Sequence, residues 1–392
     1  MTPAVAVLNA GSSSIKFAVR GVDKDLPLLL RGQVEAIGVA PRLIVKDADG
    51  ATVETREFSP AGFDHAVATR TIIGVVRERL PDYVAAAIGH RVVHGGTAHA
   101  APARVDADVL ADLETLIPLA PLHQPHNLAP IRTLMAEAPA LPQVACFDTA
   151  FHAVQPPLAR RYAIPRALTE EGVLRYGFHG LSYEFVTRRL AEVAPHLAEA
   201  RVVTAHLGNG ASLCATQGGK SVASTMGFTA VEGLMMGTRC GSIDPGVLIW
   251  LMDEKGMGPR EIERLIYKES GLLGVSGISS DMRALGQSDA PEAAEAIDLF
   301  AYRVVREIGS MAAALGGLDA LVFTAGIGEN DAGLRARVVA GCGWLGLAID
   351  PARNAAPSGR VSPDGCTSEV WVIPTDEERV IAEHTLALVG KG

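Results

Sequence analysis

From Val5 to Val19 the chain reads VAVLNAGSSSIKFAV, with Val5 and Val7 alternating with small residues and Ile15, Phe17 and Val19 alternating beyond a polar middle. Period-two apolar spacing on both sides of an Asn-Ala-Gly-Ser-Ser-Ser turn predicts a strand, a tight turn and a second strand. Gly32 to Phe58 alternates weakly, with turn signals at Gly38 and Gly50, and predicts short antiparallel strands that complete a first sheet. Asp64 to Leu80 carries Val67, Ile72, Ile73, Val75, Val76 and Leu80 at helical spacing. Ala85 to Val93 predicts the next strand, and Asp106 to Pro118 a helix with Asp106 as its cap. Prolines interrupt Leu119 to Pro130; a helix from Leu128 and a strand Gln143–Phe147 follow, the latter delivering Asp148 at its carboxyl end.

The second half repeats this plan. After a helix opened by Ser182, Arg201 to Thr216 reads RVVTAHLGNGASLCAT, again a strand, a glycine turn and a strand. Leu8-Asn9-Ala10-Gly11-Ser12-Ser13 and Leu207-Gly208-Asn209-Gly210-Ala211-Ser212 share the frame L-x-x-G-x-S. Two matching hairpins predict duplicated domains facing each other with a ligand between them. Helices are expected at Pro259–Glu269 and Pro291–Leu315. A strand Leu321–Thr324 meets a glycine turn, Ala325 to Asn330, and then a helix. That order suits a nucleotide, although Asp331 stands where a dinucleotide fingerprint needs its third glycine. The last strand, Val370–Ile373, leads through Pro374-Thr375-Asp376-Glu377-Glu378 into a closing helix expected to fold back on the first domain. Thr375 and Glu378 have capping-box spacing, which would leave Glu377 to point elsewhere.

Composition narrows the class. With 392 residues and 48% hydrophobic side chains, the chain can build two or three domains. A net charge of -9 argues against holding nucleic acid or an anionic membrane by bulk charge, so an anionic ligand must be caught by local donors. The five scattered cysteines lack C-x-x-C spacing and read as reduced thiols. Neither a signal peptide nor an apolar run long enough to span a membrane is visible, and a cytoplasmic protein is expected.

Several residues could carry chemistry. The turn after Leu8 gathers backbone N–H groups, three hydroxyls and the Lys16 ammonium, a donor-rich set that suits phosphate. It is not a Walker loop, because Phe17 and a strand follow the lysine. The same residues would serve equally as a plain polar turn. Arg91, between His90 and His94, offers a fork for a carboxylate or for a surface ion pair. Arg239 lies in an apolar, glycine-bounded loop with no acid nearer than Asp244 and needs a partner. His179 sits on a glycine-flanked loop. His123 and His126 are spaced like a metal pair, yet Pro125 breaks the helix such a pair needs, and zinc is not expected. Asp148, between Phe147 and Phe151, must be paired or coordinate a cation. Asp376, Glu377 and Glu378 beside a phosphate site call for Mg²⁺.

Taken together, NAGSSSIKF, GHRVVHGG, PLHQPHN, FDTAFH, YGFHGLS, HLGNGAS, MMGTRCG, SSDMR, FTAGIGEN and PTDEE resemble the acetate kinase family of the actin, sugar kinase and heat-shock ATPase superfamily, in family order and nearly end to end. The resemblance implies an α/β fold of two duplicated ribonuclease H-like (actin-like ATPase) domains with an interdomain cleft. The domains would be 1–150, completed by a C-terminal helix 376–392, and a nucleotide-binding 151–375. Asn9 and Glu377 would hold Mg²⁺ (or Mn²⁺), mostly through water. Ser12, Ser14 and Lys16 would line the phosphate channel. Arg91 would grip the substrate carboxylate, with Val93, Leu122 and Phe178 walling its methyl group. His179 and Arg239 would stabilise the transferring phosphoryl, with His123 near it. His206, Leu207, Gly208, Asn209 and Gly210 would cradle the ATP phosphates. Asp281, Met282 and Arg283, with Gly326, Ile327, Gly328, Glu329 and Asn330, would hold the adenosine. A homodimer is implied, and the helix Pro291–Leu315 is a candidate for its contact.

Three residues depart from the family pattern: Ala230 for a pocket proline, Ser242 for an Asp after Arg239, and Asp376 for an Asn beside Glu377. The first puts strict acetate specificity in doubt, and the last would tighten or shift Mg²⁺ binding. The expected reaction is acetate plus ATP giving acetyl phosphate plus ADP by in-line transfer, without a general base. Asp148 is then expected to position Mg²⁺ or its waters rather than to move a proton. The alternatives are a propionate or butyrate kinase and, remotely, a nucleotide-gated binding protein resembling a chaperone ATPase.

Overall fold

The computed structural model describes residues 1–357 and 359–390. It divides the chain into two compact units, Met1–Phe151 with the segment from Asp376 onward, and His152–Thr375. In the first unit, strands β1 (Thr2–Ala10), β2 (Ile15–Gly21), β3 (Leu28–Glu35), β4 (Arg42–Asp47), β5 (Thr52–Glu57), β6 (Tyr83–Val92), β7 (Ala103–Arg104) and β8 (Gln143–Phe147) form one sheet in the order β5-β4-β3-β2-β1-β6-β8-β7. In the second, β9 (Arg201–Leu207), β10 (Ala211–Gln217), β11 (Lys220–Ser224), β12 (Ala320–Thr324) and β13 (Glu369–Val372) run in the order β11-β10-β9-β12-β13.

The duplication inferred from two hairpins extends to five strands of each sheet. β3-β2-β1-β6-β8 and β11-β10-β9-β12-β13 have the same order: two antiparallel pairings on one side of the first strand and parallel strands on the other. The parallel members need crossover connections, and helices supply them. β1 is buried along both faces rather than one. Ala4 and Leu8 join a cluster with Ile15, Phe17, Ile72 and Val75 beneath the helix His65–Arg79. The opposite face of β1 and β6 is covered by the helix Glu377–Val389. Gly89 permits that approach, since a Cβ there would stand 2.3 Å from Thr385 Oγ1 and 2.5 Å from Ile381 Cγ2. Residues 391–392 of the expected closing helix lie outside the described residues.

In the second unit the helix Gly180–Val193 packs Val186 and Leu190 against Val202, Val322 and Trp371. The helix Pro291–Leu315, found at its expected limits, covers β9, β10 and β11 with Phe300, Val304 and Ile308 buried. No helix among the described residues is long and apolar enough to cross a membrane.

Four local expectations are corrected. The helix placed from Leu128 begins at Gln124; Pro125 falls in its first turn, where a missing N–H costs nothing, so it does not break the helix. Ser182 caps no helix. The helix starts at Gly180 after His179, and the Ser182 hydroxyl instead meets His206 Nδ1 at 2.8 Å. After β12 there is no glycine turn: Ala325–Asn330 is itself helical, and Asp331 caps the next helix, Ala332–Gly341. The capping box at Thr375 and Glu378 is absent. Asp376 is the cap, accepting from Arg379 N at 2.9 Å.

Candidate active site

In the first unit, the carboxyl ends of β1, β6 and β8 lie side by side and carry Asn9, Arg91 and Asp148. Asp148 is 1% exposed, and both its oxygens are taken by Arg91, Nε to Oδ1 at 2.9 Å and Nη2 to Oδ2 at 2.5 Å. Arg91 Nη1 reaches Asn9 Oδ1 at 3.2 Å. Three of the five guanidinium N–H bonds are thereby committed. Burial works against the Arg91 charge, but the Asp148 and Glu377 carboxylates outweigh it and hold its pKa above the ordinary value. The charge that Asp148 needed is thus met by an arginine rather than demanding a cation.

Glu377, the first residue of its helix, faces this pair. Burial foremost, with Asp148 and Glu378, pushes its carboxyl up to about 7 against the pull of Arg91 and Lys16. Lys16 lies opposite Asn9 in the hairpin register. Asn9 and Glu377 offer hard oxygen donors in a place where negative charge is in excess, which fits Mg²⁺. Among the described residues no group of three or more His, Cys, Asp or Glu side chains is arranged to hold a metal. Asp376 does not add free charge beside Glu377, because Arg20 Nη2 pairs with it at 2.6 Å.

The turn between β1 and β2 places Ser12 on the surface and Ser14 half-buried. Val93 is buried, and its amide donates to Asn127 Oδ1 at 2.8 Å. Asn127 Nδ2 also donates to the carbonyl of Ala10, joining the ends of β1 and β6. Leu122 is half-buried, and His123 is the residue before the helix Gln124–Glu137. Asn127 and Gln124 both lie within PLHQPHN, and nothing in the sequence assigned either a task. Both hold loop backbone, and since the helix was expected only from Leu128, no spacing marked them.

The second unit gathers another cluster. His179 adopts φ +58°, an uncommon conformation for a residue with a side chain. Its Nδ1 meets Ser212 Oγ at 2.8 Å, and its ring stacks on His206 with centroids 4.1 Å apart. Ser212 Oγ also meets the Tyr183 hydroxyl at 2.5 Å. With Nδ1 tied, Nε2 is the nitrogen that faces Gly210. A Cβ on Gly210 would stand 3.4 Å from His179 Nε2 and 3.7 Å from Arg239 Nη1, so these three meet at one point. Arg239 Nη1 donates to the carbonyl of Ala230 at 2.9 Å, a bond that needs no particular side chain at position 230. The Arg239 loop is clamped from behind. Leu272 N donates to Met236 O at 2.8 Å and Ser270 N to Thr238 O at 3.0 Å. Gly271, at φ +65°, would drive a Cβ to 2.2 Å from Met236 O. Ser242 Oγ accepts from Gly233 N at 3.1 Å, a neutral tie within this loop.

The turn His206–Gly210 has neighbours on two sides. Gly237 N donates to Asn209 O at 3.0 Å, and Gly237 would place a Cβ 3.2 Å from Ser280 O, beside Asp281. A Cβ on Gly208 would lie 3.7 Å from Ala325 Cβ, at the start of Ala325–Asn330. Glu329 Oε1 accepts from Ala325 N at 2.8 Å and Thr375 N at 3.2 Å, which fixes that corner. Asp281 and Arg283 pair with each other on the surface at 2.6 Å; the bond from Arg283 holds the Asp281 carboxyl down at about 2. Phe178 is buried, and its carbonyl accepts from His152 Nε2 at 2.9 Å. Ser212 and Tyr183 escaped the sequence reading. Ser212 closes the repeated L-x-x-G-x-S frame, which was the usable signal, whereas nothing marked Tyr183.

Residues 4–383 match the family described as the acetokinase family. An acetate kinase of Rhodopseudomonas palustris is 51% identical over 398 residues, covering 100% of both chains. One from Rhizobium meliloti is 48% identical and covers 98% of each. Among solved structures, Porphyromonas gingivalis acetate kinase superposes with a TM-score of 0.88 at 38% identity, over 99% of this chain and 100% of the other. A propionate kinase from Francisella tularensis superposes with 0.92 at 36% identity, again over 99% and 100%. A family match over almost the whole chain and relatives of equal length at about half identity, together with the repeated α/β sheets that carry these two clusters, lead to one conclusion: this chain belongs to the acetokinase family.

Proposed function

We propose that the chain catalyses reversible transfer of the γ-phosphoryl group of ATP to acetate, giving acetyl phosphate and ADP. The observation that carries this reading is the meeting of His179 Nε2 and Arg239 Nη1 at Gly210, on the turn we assign to the ATP phosphates. Acetate is ionised at neutral pH and already a nucleophile, so no side chain has to remove a proton. What the protein must supply is position and positive charge around a metaphosphate-like transition state. Arg91 turns its remaining N–H bonds toward the acetate carboxylate while Asp148 holds the guanidinium in place. Val93, Leu122 and Phe178 wall the methyl group. Arg239 and His179 face the equatorial oxygens of the moving group, and His123, Ser12, Ser14 and Lys16 add donors. The backbone of His206–Gly210 takes the nucleotide phosphates, with Asp281–Arg283 and Gly326–Asn330 toward the adenosine. Asn9 and Glu377 would hold Mg²⁺, or Mn²⁺ in its place, mostly through water. That ion supplies charge neutralisation of the nucleotide phosphates.

The test is capture of acyl phosphate by hydroxylamine with ATP, Mg²⁺ and acetate. Hydroxamate should form only when acetate is present; hydrolysis of ATP at the same rate without acetate would overturn the reading. A second reading, propionate as the preferred acceptor, draws on Ala230 in place of a proline and on the Francisella tularensis propionate kinase. Running acetate, propionate and butyrate side by side separates the two by kcat/KM, since one methylene in an apolar pocket is worth about 10–200-fold.

The family resemblance also implies a homodimer. The helix Pro245–Lys255 buries none of its residues and exposes Val247, Ile249, Trp250 and Met252, so it is the surface we assign to the partner copy. The helix Pro291–Leu315, by contrast, uses most of its apolar face within its own unit. Light scattering should give twice 41.0 kDa for the wild type and a lower mass for Trp250→Glu. A monomeric wild type would end the proposal.

A further inference from the structure

The two L-x-x-G-x-S turns are held by matching ties. Ala10 and Asn209 occupy the same place in the frame, and each gives its carbonyl to a donor outside its hairpin: Asn127 Nδ2 for Ala10, Gly237 N for Asn209. The first turn has two ties more: Ile37 N donates to the Ser13 carbonyl at 3.0 Å, and His65 supplies the other. His65 Nε2 lies 2.7 Å from the carbonyl oxygen of Gly11, and since a carbonyl only accepts, the imidazole donates.

That bond changes what the turn can offer. A four-residue turn such as Gly11–Ser14 ordinarily closes with the first carbonyl accepting from the fourth amide. Here Gly11 N donates to Ser14 O at 2.7 Å, and the Gly11 carbonyl is occupied by His65 instead. The amides of Ser12, Ser13 and Ser14 donate to no acceptor among the described residues. Peptide planarity adds a direction. With the Gly11 C=O turned to His65, the Ser12 N–H across the same bond points the opposite way. Successive free amides of this kind form a concave anion-binding surface. His65 is itself well placed to hold on. It opens the helix His65–Arg79 next to the cap Asp64, and its ring lies against His126, centroids 4.7 Å apart. His126 is on the helix that carries Asn127, so one helix supports both ties.

We infer that His65 is a positioning residue for this reaction: by occupying the Gly11 carbonyl it keeps the amides of Ser12–Ser14 open as donors to oxygens of the transferred phosphoryl group. The inference rests on the acetate kinase reading above. Steady-state kinetics of His65→Gln and His65→Leu, with melting temperatures, test it. The Gln amide can place an N–H where Nε2–H stands, and Leu cannot. His65→Leu should lose about tenfold or more in kcat with acetate KM within about twofold, and His65→Gln should stay within about threefold of wild type. Equal impairment of both variants, a His65→Leu kcat near wild type, or an acetate KM that rises as far as kcat falls would overturn it. Should His65→Leu fail to fold, His65→Asn, whose amide is too short to reach Gly11, takes its place with the same expectation. A wild type that forms no acyl phosphate would remove the acetate kinase reading and this inference with it; an active wild type with an indifferent His65→Leu removes the inference alone.

Discussion

Alanine in place of Arg239 should lower kcat by about 10²–10³-fold and leave acetate KM within about threefold. The guanidinium sits beside Gly210 and His179 Nε2, on the nucleotide side of the proposed reaction and in a different unit from Arg91. Its charge matters most when negative charge has spread over the equatorial oxygens, so its loss belongs to the transition state rather than to acetate binding. Arg91→Ala should show the reverse emphasis, a marked rise in acetate KM. Steady-state kinetics with acetate and ATP varied separately checks both; equal effects of each variant on kcat and KM would refute this division of labour. The fold should survive Arg239→Ala, because the loop is clamped through backbone bonds from Ser270 and Leu272.

Asp148→Asn should reduce kcat/KM by about 10²-fold, raise acetate KM and lower the melting temperature, and excess Mg²⁺ should not restore activity. Both Asp148 oxygens accept from Arg91 within a site that is 1% exposed on the Asp side. An amide keeps the shape, but it loses the charge and sets an NH₂ against one guanidinium N–H. The fork then loses its aim at the substrate carboxylate. Removing the Asp148 charge also takes away one of the influences that raise the Glu377 carboxyl, so Glu377 should ionise more readily in the variant. This makes the missing rescue informative. Metal affinity should hold or improve while catalysis stays low. Activity returning with added Mg²⁺ would instead give Asp148 the metal-positioning task expected from sequence.

Much of the local structure was legible because it depends on spacing along the chain. Period-two apolar residues marked β1 and β2, and the helical spacing from Val67 to Leu80 marked His65–Arg79. The frame L-x-x-G-x-S announced a repeat that five strands of each sheet share in the same order. Three of the four errors fell where a side chain had two local uses; the fourth took the helix Ala325–Asn330 for a glycine turn. Thr375 and Glu378 fitted a capping box, but Asp376, held by Arg20 from another strand, took the cap. Ser182 looked like a cap and found His206 instead. Pro125 looked like a helix breaker and landed in a first turn.

The sequence by itself determined most of the element order, though not the strand Lys220–Ser224 or the helices Pro245–Lys255 and Ala325–Asn330. It also determined the repeated hairpin plan, the family and the residue types available for phosphoryl transfer. These follow from short-range periodicity and from motifs whose members are contiguous. Only the tertiary structure decided which donor meets which acceptor: that Arg91 is aimed by Asp148, that His179 and Arg239 converge on Gly210, and that Gly11 gives its carbonyl to His65. The reason is geometric. Those partners are separated by tens of residues and brought together by parallel strands and the helices that connect them, and hydrogen bonds reward an atom's position within a few tenths of an ångström, which spacing along a chain does not encode.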